Sequence, residues 1–466
     1  MTLEKKQTET ENAERKPLVY QDFNLRFGGY NEADSTFKVW VEGDTPGGGS
    51  MRPDDASERT YNPNAFWSDP AQGTGGLLGR LDRRKLAREE MFTLGHLLAD
   101  LALPEGRVRE LFRQSVDTLK AGEGLRLRLH IDPIVLAQLP WEMLTLPQAS
   151  GEPQASDFLA LRREISIART DTVEGRARSA PNRALIRVVG AFSSPEDQDD
   201  LGVDKDLAGL EQAVRALNGA AGRQSIEATW AARPLTREAL EQALADDADI
   251  FHFAGHGQFE RLSMQGQIIL ERKKDGGDII SDYYSGEQLA TLLGNAGVRL
   301  VVLGACDTGR RASEFVWSGV APALTHEKIP AVVANQFKIL DTSAILLVAR
   351  IFPRVLAGYT IDEALYEARQ GIYQQYGLEQ RDWVVPVLYL HDKSGVLFPR
   401  PESDPTGASS TSPFVQVSTT FNRVLGEVID TQIGLMTGGR LQISNKVDVV
   451  EKGANFTSLK LDKLGG

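Results

Sequence analysis

One histidine and one cysteine stand at comparable places in this chain, each directly after a short apolar segment that contains a glycine. His256 follows Ile250-Phe-His-Phe-Ala-Gly255, and Cys306 follows Leu300-Val-Val-Leu-Gly-Ala305. An imidazole beside a thiol is the smallest apparatus for cysteine nucleophilic catalysis, because the base takes the proton and the thiolate attacks a carbonyl carbon. The two residue types therefore indicate acyl transfer chemistry if their side chains meet.

The two apolar segments predict the elements that would bring these residues together. Apolar runs of four to eight residues bounded by glycine are typical of buried parallel strands. The carboxyl ends of such strands meet at one edge of a sheet, where binding crevices form. We therefore expect His256 and Cys306 to leave neighbouring strands at the same edge.

Strands and helices alternate from Arg183 to Leu390, which predicts right-handed crossovers and an α/β fold. The expected architecture is a three-layer sandwich with a mainly parallel sheet, preceded by an α+β N-terminal region and followed by a short β-rich tail. Pro386 in the last strand predicts an edge position or a local bulge.

The N-terminal region combines hairpin and helix signals. Alternating segments at Asp22–Phe27 and Thr36–Val41 predict an antiparallel hairpin, and the Gly- and Pro-rich segment 43–76 predicts a long loop. One amphipathic helix is expected over Leu81–Leu103. The strict alternation of Gly124–His130 predicts a strand with one solvent-exposed face.

The same patterns divide the chain into five parts. The first part is charged and polar with little to bury, and the fourth is rich in Pro, Ser and Thr. The tail holds more apolar residues than a solvated tether needs, so we expect it to pack on a partner or on a second copy, with packing on the main domain of the same chain as the alternative. The parts are residues 1–16 (disordered), 17–175 (N-terminal α+β region), 180–398 (catalytic domain), 399–413 (linker) and 414–466 (β-prone interaction tail).

Composition narrows the function classes. The net charge of −12 argues against direct binding of nucleic acid or an anionic membrane surface. No apolar stretch reaches the roughly 18 residues that a membrane helix needs. A single cysteine allows no intrachain disulfide and favours a reducing, cytoplasmic location. Six histidines with one cysteine predict no metal cluster, and without a phosphate-binding glycine loop we expect no cofactor.

The His and Cys segments, together with several others in the same order, resemble one protein family. Phe253-Ala-Gly-His-Gly257 and Leu300–Gly309 are similar to the paired histidine and cysteine blocks of the CHAT-domain caspase-like proteases, which are relatives of caspases, metacaspases and separases. The resemblance covers roughly residues 90–395. Its further blocks are Gly124–Leu129, Leu139-Pro-Trp-Glu142, Phe158-Leu-Ala160, Ser318–Ala323, Ile329–Gln336, Ala364–Arg369, Asp382-Trp383 and Pro386-Val-Leu388.

This resemblance implies roles for particular residues. Cys306 would be the nucleophile and His256 the general base, with the backbone N–H groups of Gly257 and Cys306 forming the oxyanion hole. It implies a cytoplasmic cysteine endopeptidase of bacterial type that cleaves a specific protein in signalling or anti-phage defence. A sensor or scaffold protein would activate it, and no third catalytic residue is required.

Two other functions remain open on sequence alone: a catalytically silent CHAT scaffold that mediates assembly, and a cysteine amidohydrolase acting on a small substrate. Several side chains also have two interpretations. Asp307 and Asp382 could line a specificity pocket for a basic side chain or serve only in turns. The acidic segment 196–206 is interpreted as a solvated surface, with substrate contact as the alternative. His252 is predicted to be a buried histidine with its hydrogen bonds satisfied.

Overall fold

The computed structural model describes residues 16–67, 76–146, 151–170, 185–221, 226–260, 265–304 and 316–399. Nearly all of the predicted disordered start and of the linker lie outside these residues, and so does the whole interaction tail. In the parts of the chain that the structure describes, no helix combines the length and apolar character that crossing a bilayer requires.

Most described strands belong to one sheet of eleven strands, in the order β3-β2-β1-β4-β5-β14-β13-β12-β8-β6-β7. Its central strands β12, β8 and β6 are parallel, as predicted. A small antiparallel sheet, ordered β11-β10-β9, follows β8 in the chain. The strands are β1 Val19–Asn31, β2 Thr36–Val41, β3 Ser57–Thr60, β4 Glu123–Ile131, β5 Ile165–Arg169, β6 Ile186–Phe192, β7 Ile226–Trp230, β8 Ile250–Ala254, β9 Gly257–Glu260, β10 Gln265–Lys273, β11 Ile279–Ser285, β12 Leu300–Gly304, β13 Ala331–Asn335 and β14 Pro386–Leu390.

Helices cover both faces of the large sheet, which gives the predicted three layers. Apolar residues of α6, α10 and α11 join one core cluster, and those of α7, α8 and α9 join another. The α-helices are α1 Pro63–Trp67, α2 Gly76–Asp82, α3 Arg88–Ala102, α4 Arg107–Asp117, α5 Ile134–Ala137, α6 Val203–Ala221, α7 Arg237–Ala243, α8 Gly286–Asn295, α9 Val316–His326, α10 Asp341–Leu356 and α11 Ile361–Tyr376.

The continuous apolar runs form central strands because both of their faces are buried. In β8, Ile250 and Ala254 enter the first cluster, whereas Phe251 and Phe253 enter the second. Successive side chains of a strand point to opposite faces, so a strand between two helix layers needs apolar residues at every position.

The predicted hairpin is present as β1 and β2, but two other N-terminal predictions were wrong. The segment expected to be a long loop contains β3 and α1. The single helix expected over Leu81–Leu103 is divided into α2 and α3. Arg84 lies between them with a φ of +57°, a left-handed conformation that ends a helix.

The prediction that β4 has a solvent-exposed face was also wrong. Its arginines are buried: Arg126 is 0% exposed and Arg128 is 6% exposed. Their alternation with leucine imitates a half-exposed strand, but their guanidinium groups are held by carboxylates from distant segments. The carboxylate closest to Arg126 in space belongs to Asp362 of α11, although Asp362 is 236 positions away from Arg126 in the chain.

We call these buried ion pairs between β1, β4, the β5 region and α11 the seam. Arg126 donates to both carboxylate oxygens of Asp362, at 2.8 and 2.6 Å, and to Asp22 at 2.9 Å. Ser166 donates a third hydrogen bond to Asp362, and Arg163 pairs with Glu363. Burial alone would raise the pKa of Asp362, but the charge and hydrogen bonds of Arg126 outweigh it and hold that pKa below its usual value.

The last strand, β14, does not lie at an edge as Pro386 predicted. It pairs antiparallel with β13 on one side and parallel with β5 on the other. A proline lacks an N–H donor, but Pro386 is the first residue of β14, a position where a sheet tolerates it. Through β14 the strands of the predicted N-terminal region and those of the predicted catalytic domain form one continuous sheet.

Candidate active site

The strand that carries the candidate histidine lies beside the strand that precedes the candidate cysteine. β8 and β12 are parallel neighbours, and their register places Gly304 opposite Ala254. The N–H of Gly255 donates to the Gly304 carbonyl at 3.3 Å, so the chains run side by side to the end of the sheet. His256 comes two positions after Ala254, and Cys306 comes two positions after Gly304. Cys306 itself lies outside the described residues.

The imidazole of His256 is fixed by a backbone group on the loop that follows β6. Its Nε2 lies 2.7 Å from the carbonyl oxygen of Asp199. A carbonyl oxygen only accepts hydrogen bonds, so Nε2 carries the hydrogen and donates it. In the neutral ring Nδ1 is then the unprotonated nitrogen, which can accept a proton. The ring is half-buried, so reactants can still approach it.

Gly255 is needed where the chain turns beneath this loop. A Cβ at that position would lie 2.7 Å from the Phe253 ring and 3.1 Å from the Ser193 carbonyl oxygen. The first distance is shorter than real Cβ contacts, so a larger residue would displace either the ring or the loop. The glycine therefore permits the close approach that lets the loop reach His256.

The residues predicted for the oxyanion hole are only partly described. Gly257 is the first residue of β9 and pairs with Ile268 of β10. The carbonyl of His256 accepts a 2.9 Å hydrogen bond from the N–H of Ile269, which fixes the backbone beside it. The roles of Gly257 and Cys306 as oxyanion donors stay predictions.

Of the two carboxylates predicted to line a specificity pocket, only Asp382 belongs to the described part of the chain. Asp307 lies outside the described residues. Asp382 is fully buried, pairs with Arg84 and accepts a 3.1 Å hydrogen bond from the N–H of Leu340, just before α10. These contacts occupy both carboxylate oxygens and favour the turn interpretation. A role of Asp382 in specificity stays a prediction.

His252 is buried as predicted, but its hydrogen bonds are not satisfied. Its Nδ1 has no partner among the described residues, and neither does Oδ1 of Asn335. Both residues line a cavity of about 30 Å³ between the sheet and helices α6 and α10. Burial lowers the pKa of His252 to about 4, so the ring is neutral near pH 7.

The residues that hold the loop were not found by sequence analysis. Asp197 and Glu271 bind the loop to the small sheet, and the Asp199 carbonyl contacts the histidine. The acidic segment was interpreted as a solvated surface, and most of its carboxylates are indeed exposed. Every residue has a backbone carbonyl, so no residue type could have marked Asp199. The one signal available was the position of the segment, directly after a strand of the same sheet.

Some solved structures resemble this chain at low sequence identity. A search of curated proteins found no match. Among solved structures, the separase of Saccharomyces cerevisiae, solved with securin, is 12% identical with a TM-score of 0.32. That match covers 70% of this chain but only 22% of the separase chain. Gingipain R, an Arg-specific cysteine proteinase, is 11% identical with a TM-score of 0.39, and the match covers 65% of this chain and 71% of the gingipain chain. The complex of the pro- and mature domains of RgpB from Porphyromonas gingivalis is also similar.

The family comparison covers more than half of the sequence. The model of the CHAT domain matches residues 95–392. The match includes β4, β5 and every element from β6 to β14, and therefore both candidate catalytic residues. This confirms the resemblance that the His and Cys segments indicated. The chain belongs to the CHAT domain family.

Proposed function

We propose that this protein is a cysteine endopeptidase in which Cys306 is the nucleophile and His256 the general base. The observation that carries the proposal is the hydrogen bond from His256 Nε2 to the Asp199 carbonyl, at the edge where β12 ends beside β8. This hydrogen bond leaves Nδ1 of His256 as the proton acceptor. His256 lies two residues beyond the end of β8, and Cys306 lies two residues beyond the end of the neighbouring strand β12.

The chemical steps use these residues in order. His256 takes the thiol proton at Nδ1, and the thiolate of Cys306 attacks the peptide carbonyl carbon. The resulting imidazolium keeps its Nε2–H on the Asp199 carbonyl, which stabilises its positive charge. The proton on Nδ1 then passes to the leaving amine, and water hydrolyses the thioester to release the acid and the Cys306 thiol. The N–H groups of Gly257 and Cys306 would stabilise the oxyanion, an effect worth typically about 2.7–4 kcal/mol for each donor.

The biological setting is part of the proposal. A specific protein would be the substrate, in signalling or anti-phage defence, and a sensor or scaffold protein would switch the enzyme on. The exposed loop that holds His256 supports regulation, because displacing it would alter the base without unfolding the sheet. The single cysteine supports a reducing compartment such as the cytoplasm.

The first test measures the reactivity of the thiol, which needs no substrate. Because the chain has one cysteine, alkylation by iodoacetamide followed by mass spectrometry reports Cys306 alone. A thiol beside an imidazolium should titrate below the ordinary value of about 8.5. The His256→Ala variant should titrate near that value, and identical rate–pH curves for the two proteins would reject the pair.

The second test asks whether the thiol cleaves peptide bonds. Wild-type protein and Cys306→Ala are incubated, with and without extract of the source cells, with a peptide mixture prepared from a whole proteome, and new N-termini are counted. New termini formed only by the wild type support an endopeptidase. A reactive thiol without new termini would favour a small amide substrate, and an ordinary thiol without new termini would favour the scaffold.

A further inference from the structure

The loop that contacts His256 is attached residue by residue to its neighbours. The N–H of Ser193 donates to the Ala254 carbonyl at 3.0 Å. The N–H of Ser194 donates to the buried carboxylate of Glu271 on β10 at 2.8 Å. Both contacts hold the start of the loop, residues 193–202, against the end of β8 and the small sheet.

The middle of the loop is attached to β11. The N–H of Glu196 donates to the Ile279 carbonyl at 2.8 Å. One carboxylate oxygen of Asp197 accepts two hydrogen bonds from Ser281, from its N–H at 2.9 Å and from its hydroxyl at 2.7 Å. The side chain of Gln198 also donates to the Ser281 hydroxyl, at 3.0 Å. The next residue, Asp199, supplies the carbonyl that contacts His256.

These contacts occupy the outer edge of β11. The small sheet is ordered β11-β10-β9, so this edge would otherwise present unpaired backbone groups. Outward-facing groups of Ile279 and Ser281 bind the loop, and the carbonyl of Tyr283 accepts a hydrogen bond from Arg237. The hairpin and the loop therefore behave as one unit, and the side chains of Asp197 and Gln198 join them just before Asp199.

We infer that Asp197 is a positioning residue for His256, a role that rests on the proposed cysteine peptidase function. Among the described residues its carboxylate contacts Ser281 and not the His256 ring. It fixes the loop two residues before the Asp199 carbonyl, and that carbonyl selects the tautomer with hydrogen on Nε2. If the loop moves away, hydrogen can occupy Nδ1, and the ring can no longer accept the thiol proton.

Removing the contact between Asp197 and Ser281 should lower the rate by a definite factor. Ser281 is 8% exposed, so replacing Asp197 with alanine leaves a buried N–H and a hydroxyl without their acceptor. The loop would shift to find other partners, and a displacement of about 1 Å at a catalytic group costs on the order of a hundredfold in rate. We expect Asp197→Ala to lower kcat about ten- to a hundredfold, with little change in KM.

Two variants separate the hydrogen bonds from charge. Asp197→Asn removes the negative charge but keeps an oxygen that can accept from Ser281, so it should behave like the wild type. Asp200→Asn removes a charge from the same loop without touching Ser281, and it should also leave the reactivity unchanged. The other charged groups around this contact are exposed Glu196, buried Glu271 and Arg233, whose guanidinium pairs with Asp204.

The experiment measures the alkylation rate of Cys306 between pH 5 and 10 in the full-length variants, with thermal unfolding as a check of folding. Asp197→Ala should shift the thiol titration toward that of His256→Ala, whereas both Asn variants overlay the wild type. If Asp197→Ala does not fold, Ser281→Ala, which loses only the hydroxyl contact, should show a smaller shift in the same direction.

The outcomes separate this inference from the proposed function. Identical curves for the wild type and His256→Ala would reject the His–Cys pair and the positioning role together. Different curves for those two, with folded Asp197→Ala matching the wild type, would reject the positioning role alone. A shift in Asp197→Asn equal to that in Asp197→Ala would show that charge, not hydrogen bonding, is responsible, and would overturn the inference.

Discussion

The seam and the His256 ring differ in how many hydrogen bonds hold them and in how buried those bonds are. At the seam, Asp362 receives three hydrogen bonds from buried donors, and Arg126 has further partners in Asp22 and the Lys393 carbonyl. At the loop, the His256 ring has one acceptor within the described part of the chain, the backbone carbonyl of exposed Asp199. Redundant buried contacts hold the seam, whereas the orientation of the His256 ring depends on one contact to an exposed residue, on a loop that is itself hydrogen-bonded to the small sheet.

Removing the reactive groups should affect activity far more than stability. In the proposed mechanism, Cys306→Ala abolishes peptide cleavage and His256→Ala lowers it about 10²–10⁴-fold, the usual contribution of a general base. Neither change touches the seam, so both variants should unfold at the denaturant concentration of the wild type. Cleavage by Cys306→Ala at the wild-type rate would show that another residue is the nucleophile.

Removing the central carboxylate of the seam should have the reverse effect. Asp362→Ala leaves the buried guanidinium of Arg126 without its main partner, which typically costs about 3–5 kcal/mol of unfolding free energy. The matched control is Asp132→Ala, which breaks the exposed pair with Arg26 at 3.3 Å and should cost about 1 kcal/mol or less. Urea denaturation measures both, and equal losses would contradict the contrast between buried and exposed pairs.

Acid should weaken the fold through buried His252 and half-buried His130. Burial lowers the pKa of His252 to about 4, and burial together with Arg128 and Arg26 lowers that of His130 to about 4. In the unfolded chain these two histidines take up protons below about pH 6.5, whereas in the folded chain they do so only near pH 4. The unfolding free energy therefore falls as pH drops from 6.5 to 4, by up to about 3 kcal/mol for His252.

Denaturation at several pH values tests this effect. His252→Leu and His130→Leu should each flatten the dependence between pH 6.5 and 4, and the double variant should be flatter than either. An unchanged slope in His252→Leu would mean that other groups cause the loss.

Asp362 contributes to stability in a lower pH range than the histidines, because its pKa is held below 3.8. Its contribution is fully present above that value and is lost as pH falls through the lower pKa of the folded state.

Sequence analysis predicted the elements that depend on local pattern. The apolar runs before His256 and Cys306 were identified as parallel strands because both faces of a central strand must be apolar. Local signals of the same kind lie at the starts of α7 and α8, where Thr236 and Ser285 accept hydrogen bonds from the first turns of these helices. Such signals lie within a few residues of the structure that they determine.

The failures have the opposite character. Arg126 and Arg128 were interpreted as solvent-exposed because their buried partners come from segments that are distant in the chain. Pro386 was interpreted as an edge residue because its harmless position at the start of β14 depends on where that strand begins. The carbonyl of Asp199 has no residue-type signal at all. Long-range charge pairing and backbone contacts therefore set the limit of what the residues alone could predict.

The place of β14 gives the protein a delay during its synthesis. β14 joins the sheet between β5 and β13, yet it is translated about 220 residues after β5 ends. At about 5–20 residues per second, β5 waits roughly 10–40 s on the ribosome for its neighbour. During that time the β1–β4–β5 unit has an open edge that a chaperone can occupy. A sheet assembled in this order is complete only when nearly all of the described chain has been synthesised, so the activity proposed above would begin only at that stage.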